Sequence, residues 1–363
     1  MMTRRQLSRS AAAVAFALAL GLGGCGDDSD TSPSTTGDPT GTSRDPVTVR
    51  LLVHGSWQVT DGIFDPLLEE GIEVEVLTGG DAGELANQVV LDAGSPQADV
   101  VYGIDNTFVG RPLAADAFEV HEYDVTALRR DLVARVDTER IVPIDYGDVC
   151  VNYDREWFAD HEVDPPTAID ALLDSQYRSL TVVEDPSLSS PGLAFLLATI
   201  ERNGKDWPAW WERLANNDLV VAPDWTTAWA EFSAGGQGGD RPVVVSYASS
   251  PPVDVLYSDP PRETTRIGVI DDACFRQVEY AAVLRGSRVS EAATRVVQYM
   301  TEPTFQADLP LNMFVLPANE SVPEPDLFAD FALHPSAPIV MSAGEIEAVR
   351  DDAIEQWTDI VLS

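Results

Sequence analysis

Short apolar runs alternate with amphipathic stretches along this chain, and the alternation restricts its fold more than any other feature. Strands separated by helices in this way are typical of an α/β architecture. One helix is predicted to end at Leu91. The capping-box spacing of Ser342 and Glu345 predicts the start of another helix, which ends at Ile360. The predicted strands are residues 47–54, 73–77, 98–102, 149–153, 179–183 and 243–247.

The N-terminus has the parts of a secretory signal peptide. A basic head precedes an apolar run over residues 11–22, and two glycines lead into Cys25. Small residues before this cysteine are typical of a lipoprotein, so we predict removal of residues 1–24 and lipidation of Cys25. The run is about half of the ~20 apolar residues that a membrane span needs. The mature chain is therefore expected on the outer face of the cytoplasmic membrane, anchored by its lipid.

Residues 25–46 are predicted to be a disordered tether. After the cysteine they contain no large apolar residue, so they cannot bury enough surface to offset their chain entropy. The folded part is expected to begin near Val47, and it is long enough for two lobes.

The chain is strongly acidic, with 60 acidic against 23 basic residues and a formal net charge of −37. Such a surface repels phosphate backbones, so no nucleic-acid partner is expected. It attracts a cationic small ligand, although an acidic surface can equally serve solubility alone.

Enzyme and metal motifs are missing from the sequence. It has no Gly-x-Ser-x-Gly elbow, phosphate-binding loop or His-Glu-x-x-His. The four histidines are scattered, at positions 54, 121, 161 and 334. We therefore predict no catalytic residue, no metal site and no cofactor.

Two cysteines remain once Cys25 is lipidated. Cys150 and Cys274 are then a pair in an oxidising compartment, and we predict a disulfide between them. Two small buried thiols on strands are the alternative.

Polar and aromatic side chains follow the predicted strands at their carboxyl ends. In open α/β sheets ligands bind at those ends, so these residues are candidates for a binding site. They are His54, Trp57, Asp105, Asn106, Tyr247, Ser249 and Ser250.

A helix start and two tryptophans add to these candidates. Ser190 suits an N-cap after Ser189, and Pro191 suits the first helical position. Free amides there can bind an anion or a hydroxyl, although a capped helix without a ligand explains the pattern too. Trp57 and Trp225 are flanked by turn residues, so their rings are predicted in a cleft, where an aromatic face suits an organic cation.

Five segments resemble the thiamine-binding lipoproteins and periplasmic proteins of ABC transporters. The resemblance runs in order over essentially the whole mature domain. The segments are ADVVYGIDN at 98–106, VPIDYG at 142–147 with NYD at 152–154, DPSLSSPGL at 185–193, SYASSP at 246–251 and QVE at 277–279.

The resemblance implies a type II periplasmic-binding-protein fold, in which two α/β lobes joined by crossing hinge strands close over one ligand. Lobe 1 is then expected at residues 47–147 and 277–363, and lobe 2 at 148–276. The hinge is expected near residues 145–153 and 274–280.

The resemblance also implies roles for individual residues. Asp105 is expected near the thiamine, Ser189 and Ser190 at its phosphate end, and Trp225 closing on it. Tyr247, Ser249 and Ser250 match the other helix start, and Phe314 stands where relatives have a Trp beside the rings. His54 and Gly55 stand where relatives have Tyr and Asp.

The sequence therefore predicts a monomeric solute-binding lipoprotein that captures thiamine or its phosphates and delivers them to a membrane permease, without catalysis. One alternative keeps the fold and binds a polyamine or iron(III). Another is a thiamine-salvage enzyme with Cys150 as its nucleophile, which a disulfide to Cys274 would silence.

Overall fold

The computed structural model describes residues 45–260 and 262–363. The predicted signal peptide, the lipidated Cys25 and nearly all of the tether lie outside the described residues, so these features stay predictions. Within the described residues, no helix has the length and apolar character needed to cross a membrane.

The strands of the described residues form one mixed sheet, in the order β2-β1-β3-β8-β4-β7-β5-β6, with β9 paired to β4. Their bounds are β1 Val47–Val53, β2 Ile72–Thr78, β3 Val100–Asp105, β4 Val142–Asp154, β5 Thr181–Glu184, β6 Val220–Ala222, β7 Val243–Tyr247, β8 Ile267–Val283 and β9 Leu316–Pro317.

Helices connect these strands, and four short 3-10 turns lie between them in the described part of the chain. The turns are Ile169–Leu173, Ser175–Tyr177, Gly204–Asp206 and Ser233–Gly235. The helices are α1 Asp65–Glu69, α2 Ala82–Leu91, α3 Gly110–Ala114, α4 Arg130–Val133, α5 Arg155–Asp160, α6 Ser190–Asn203, α7 Trp207–Ala215, α8 Trp225–Glu231, α9 Pro251–Tyr257, α10 Ser290–Met300, α11 Pro303–Gln306, α12 Leu309–Asn312, α13 Asp326–Phe331 and α14 Ala343–Val361.

Two long strands join two parallel groups in the sheet. β1 is parallel to β2 and β3, and β5 is parallel to β6 and β7. Between the groups, β8 is antiparallel to β3 and β4, and β4 is antiparallel to β7. The predicted α/β architecture is confirmed. The lobe boundaries and the hinge positions stay predictions.

The last helix packs against elements of both parallel groups. α14 contacts α3, which follows β3, and also α6 and α7, which lie between β5 and β6. Its Trp357 is fully buried and meets Trp211 edge to face, with ring centroids 5.6 Å apart. The capping box predicted at Ser342 and Glu345 is present.

A disulfide joins the two long strands. Cys150 of β4 and Cys274 of β8 are bonded, and their Cα atoms are 4.4 Å apart. Both side chains are buried. The pairing predicted from the sequence is confirmed. The bond also removes the Cys150 thiolate that the enzyme alternative requires.

Candidate functional site

A cleft of about 410 Å³ opens at the carboxyl ends of strands from both parallel groups. His54 follows β1, Asp81 follows β2 and Tyr247 ends β7. Ser190 begins α6 after β5, and Trp225 begins α8 after β6. Because these strand ends lie at the same cleft, side chains that are far apart in the sequence come together there, as is usual for ligand sites in open α/β sheets.

The predicted site residues divide into those that line the cleft and those that do not. The lining residues among them are His54, Ser190, Trp225, Tyr247, Ser250 and Phe314. The cleft lining does not include Trp57, Asp105, Asn106, Ser189 or Ser249.

Two carboxylates line the cleft that were not among the predicted site residues, Asp81 and Glu279. Asp81 caps α2, and its Oδ1 accepts the backbone N–H of Ala82 at 2.9 Å. Burial raises the pKa of Asp81, and the hydrogen bond from Ala82 opposes that rise. The signal for Asp81 was its position after Gly79-Gly80 at a strand end. Glu279 lay within the QVE segment.

Glu279 belongs to a buried polar network under the cleft. The Tyr102 hydroxyl lies 2.5 Å from Asp145 Oδ2 and 3.1 Å from Glu279 Oε2. Burial, reinforced by the charge of Glu279, holds the pKa of Asp145 well above its usual value. Burial therefore favours the protonated form of Asp145.

His54 is held in one tautomer. Its Nδ1 accepts the backbone N–H of Ser56 at 3.2 Å, so the ring proton is on Nε2, which lies 3.6 Å from Glu279 Oε1. The ring packs on Gly103, whose φ is +96°, and a Cβ there would lie 2.2 Å from His54 Cδ2. A glycine at position 103 is therefore needed for the ring to lie where it does.

Two aromatic side chains in the cleft are fixed by hydrogen bonds. Trp225 Nε1 donates to Ser246 Oγ at 3.0 Å, and its ring stacks on Trp229 with centroids 5.3 Å apart. The Tyr247 hydroxyl donates to Gln277 Oε1 at 2.8 Å. Such preorganised rings offer flat apolar faces at little entropic cost.

Phe314 is held in place by Ser249. Its φ is +56°, in the left-handed region that a residue with a side chain adopts only when its surroundings impose it. Its backbone carbonyl accepts the Ser249 hydroxyl at 2.6 Å. Its ring stacks on Phe328 and meets Tyr257 edge to face. Ser249 thus acts on the cleft through the position of Phe314.

The start of α6 differs from its prediction by one residue. The N-cap is Ser189 and Ser190 is the first helical residue, and no side chain caps the helix. The hydroxyls of Ser189 and Ser190 are buried and have no hydrogen-bond partner within the described residues. The Ser190 hydroxyl at the cleft is therefore available to a ligand.

Three predicted residues have structural partners instead. Asp105 is fully buried, and its Oδ1 accepts the Thr107 hydroxyl at 2.7 Å and the Thr107 N–H at 3.1 Å. The Asn106 side chain bridges β3 to β8 through Arg276 and Val278. Trp57 is half-buried and packs against Tyr102 and Phe305 of the core.

Asp105 predicts a pH dependence of stability. Burial raises its pKa from 3.8 to about 7. Between these values the folded state binds one proton more than the unfolded state, so stability falls with rising pH by roughly 1.4 kcal/mol per unit. Above about pH 7 this contribution is fully lost. We expect Asp105→Asn, which keeps an acceptor for Thr107, to flatten the profile of unfolding free energy between about pH 4 and 7. An unchanged slope in urea titrations would contradict this account.

The described residues hold no group of three or more His, Cys, Asp or Glu arranged to bind a metal ion. The cleft instead combines aromatic rings, two carboxylates and a free hydroxyl at a helix start. This arrangement can bind an aromatic cation that carries a hydroxyl or similar polar end.

Comparisons with known proteins agree with this geometry. A family model described as bacterial extracellular solute-binding protein matches residues 95–330. The chain is 26% identical over 288 residues to the thiamine-binding periplasmic protein of Escherichia coli strain K12, covering 78% of this chain and 83% of the relative. The thiamine-binding periplasmic protein of Brucella suis is also 26% identical, with 78% and 82% covered.

Solved structures show the fold. A periplasmic thiamin binding protein matches with a TM-score of 0.77 and 24% identity, covering 89% of this chain and 98% of its own. Iron-bound HitA from Pseudomonas aeruginosa matches with a TM-score of 0.69 and 19% identity, with 87% and 99% covered. The architecture is therefore the type II periplasmic-binding-protein fold.

Proposed function

This chain belongs to the family of bacterial extracellular solute-binding proteins, and we propose that it captures thiamine, free or phosphorylated, outside the cytoplasm. In this proposal it is the solute-binding component of an ABC importer, works as a monomer and delivers its ligand to a membrane permease. It makes and breaks no bond.

The composition of the cleft carries the proposal. Aromatic rings and two carboxylates line it, and no Lys or Arg is among the described lining residues. Thiamine is a permanent cation with two aromatic rings, which such a lining suits. The relatives named thiamine-binding support the same ligand.

The proposed orientation of the ligand follows from the positions of the lining side chains. The faces of Trp225, Tyr247 and Phe314 take the rings. Glu279 balances the thiazolium charge, and Ser190 takes the polar end at the start of α6. Flexing of β4 and β8 lets the two parallel groups close on the ligand.

Calorimetric titration tests the proposal. The ligands are thiamine, its monophosphate and its diphosphate. Spermidine and ferric citrate are titrated separately, as ligands of other chemical classes. Heat with a thiamine form supports the proposal, and heat with spermidine or iron alone contradicts it. The fluorescence of the protein should also change with thiamine, because the ligand covers Trp225. In Trp225→Phe most of that change should disappear, whereas Trp157→Phe, outside the cleft, should retain it.

We also propose that lipid on Cys25 anchors the chain to the outer face of the cytoplasmic membrane. Mass spectrometry of membrane-extracted protein should find an acylated cysteine at the mature N-terminus. Cys25→Ser should abolish the acylation and the cleavage that depends on it, while the folded domain keeps its ligand affinity. A native chain that is soluble and unmodified would overturn this part of the proposal.

A further inference from the structure

The first turn of α2 contains a backbone donor whose acceptor lies across the cleft. The first amides of a helix have no acceptor within the helix itself. In α2 the N–H of Ala82 is accepted by Asp81 Oδ1, whereas the N–H of Gly83 donates to the carbonyl of Leu188 at 2.9 Å. α2 joins β2 to β3, and Leu188 lies between β5 and α6. The bond therefore connects the parallel group of β1, β2 and β3 to the parallel group of β5, β6 and β7.

This bond lies at the edge of the cleft. Its donor follows Asp81 closely in the chain and its acceptor closely precedes Ser190, and both of these residues line the cleft. Open space lies on two sides of the contact. One pocket of about 380 Å³ has Asp81 and Leu188 in its lining, and another of about 310 Å³ has Gly83 and Ser187. The two parallel groups therefore meet here over a narrow strip of backbone.

The contact requires a glycine at position 83. A Cβ there would lie 2.7 Å from the carbonyl oxygen of Leu188 and 2.9 Å from that of Ser187, closer than Cβ atoms approach backbone atoms. The Leu188 side cannot bend away locally, because Asp185 Oδ1 accepts the N–H and the hydroxyl of Ser187 at 2.8 and 2.6 Å. A side chain at position 83 is therefore accommodated by moving the two parallel groups apart.

We propose that the hydrogen bond from Gly83 to Leu188 is the latch of the closed cleft, and that Gly83 is a positioning residue for the ligand. This inference rests on the proposed function and deepens it. The latch holds the wall that carries Asp81 against the wall that carries Ser190, so that both enclose the ligand. When the cleft opens, the two backbone groups separate and bind water instead. A bond made only in the closed form raises the population of that form and slows the release of the ligand.

Gly83→Ala tests the latch. Alanine is a better helix former than glycine, so α2 and the ligand-free fold are retained. We expect the affinities for thiamine and for its monophosphate to fall alike by about tenfold, the effect of one lost hydrogen bond. The loss should lie in the dissociation rate, measured by stopped-flow tryptophan fluorescence. The association rate should stay within about twofold of wild type, because the latch forms after the encounter.

Gly344→Ala is the matched control. Ala-Gly-Glu begins α14 as it begins α2, so Gly344 occupies the same helical position as Gly83. A Cβ at Gly344 meets nothing within 4 Å. The control therefore adds the same atom and the same helix propensity without touching a neighbour. We expect its affinity and its dissociation rate to equal those of wild type.

Hydrogen exchange in wild type tests the latch without a substitution. The Gly83 amide should become protected when thiamine is added, because its acceptor lies on the other wall of the cleft. Mass spectrometry of fragments that cover residues 82–91 measures this protection. An unchanged exchange rate at Gly83 in the thiamine-bound protein would contradict the inference.

The outcomes separate this inference from the proposed function. If wild type binds a thiamine form and Gly83→Ala binds it equally well, the function stands and the latch is wrong. If Gly83→Ala lowers both the affinity and the ligand-free melting temperature, and the wild-type amide gains no protection, Gly83 serves folding alone and the latch is again wrong. If wild type gives no heat with any thiamine form, the proposed function fails, and the latch fails with it.

Discussion

Glu279→Gln is expected to weaken thiamine binding by about a hundredfold, because it removes the carboxylate that faces the cation. Losing one partner of a buried charge pair costs about 2 to 5 kcal/mol, and a hundredfold corresponds to about 2.7 kcal/mol. The glutamine keeps an acceptor for the Tyr102 hydroxyl, so the network under the cleft is retained. Calorimetry on wild type and variant measures the change.

Glu201→Gln is the matched control for this result. Glu201 is exposed on α6, the helix whose first residue lines the cleft, and it lies outside the lining. We expect its thiamine affinity to equal that of wild type. A Glu279→Gln variant with unchanged affinity and unchanged melting temperature would show that Glu279 does not contact the ligand.

Removal of the disulfide is expected to produce the largest loss of stability. Cys150 and Cys274 are 124 residues apart in the sequence. A crosslink across a loop of that length is worth about 4 to 5 kcal/mol on the chain-entropy model. The double variant Cys150→Ala/Cys274→Ala should show this loss in urea titrations, and reduced wild type should approach it. Two free thiols in denatured, unreduced wild type would contradict the pairing.

The sequence predicted the strands and helices that have a simple apolar pattern. Residues 243–247 read as a strand because Val243 to Val245 are consecutive β-branched residues, and the structure agrees. β4 starts earlier than its apolar pattern predicted, at Val142. β8 was expected only as a hinge strand near residues 274–280, through the resemblance, and its pattern did not predict it. Asp271, Asp272 and Arg276 interrupt the apolar pattern of β8. The local apolar pattern does not predict β8, because this strand is stabilised by its extensive pairing with β4.

The candidate site was predicted in part. Strand ends and resemblance nominated His54, Tyr247 and Phe314, which line the cleft. The same two arguments nominated Asp105, but its carboxyl accepts hydrogen bonds from Thr107 instead. An Asp followed two residues later by Thr favours such a local turn. Which carboxylate reaches the cleft depends on tertiary packing.

The strand order also determines when the sheet can be completed. Val100 of β3 pairs with Val283 of β8, which is synthesised much later. Until then the edge of β3 is open, and such an edge is a template for aggregation. Pairing between strands so distant in the chain is intrinsically slow. Nascent or truncated chains that end before Ile267 are therefore expected to expose this edge and to aggregate more readily than the complete chain.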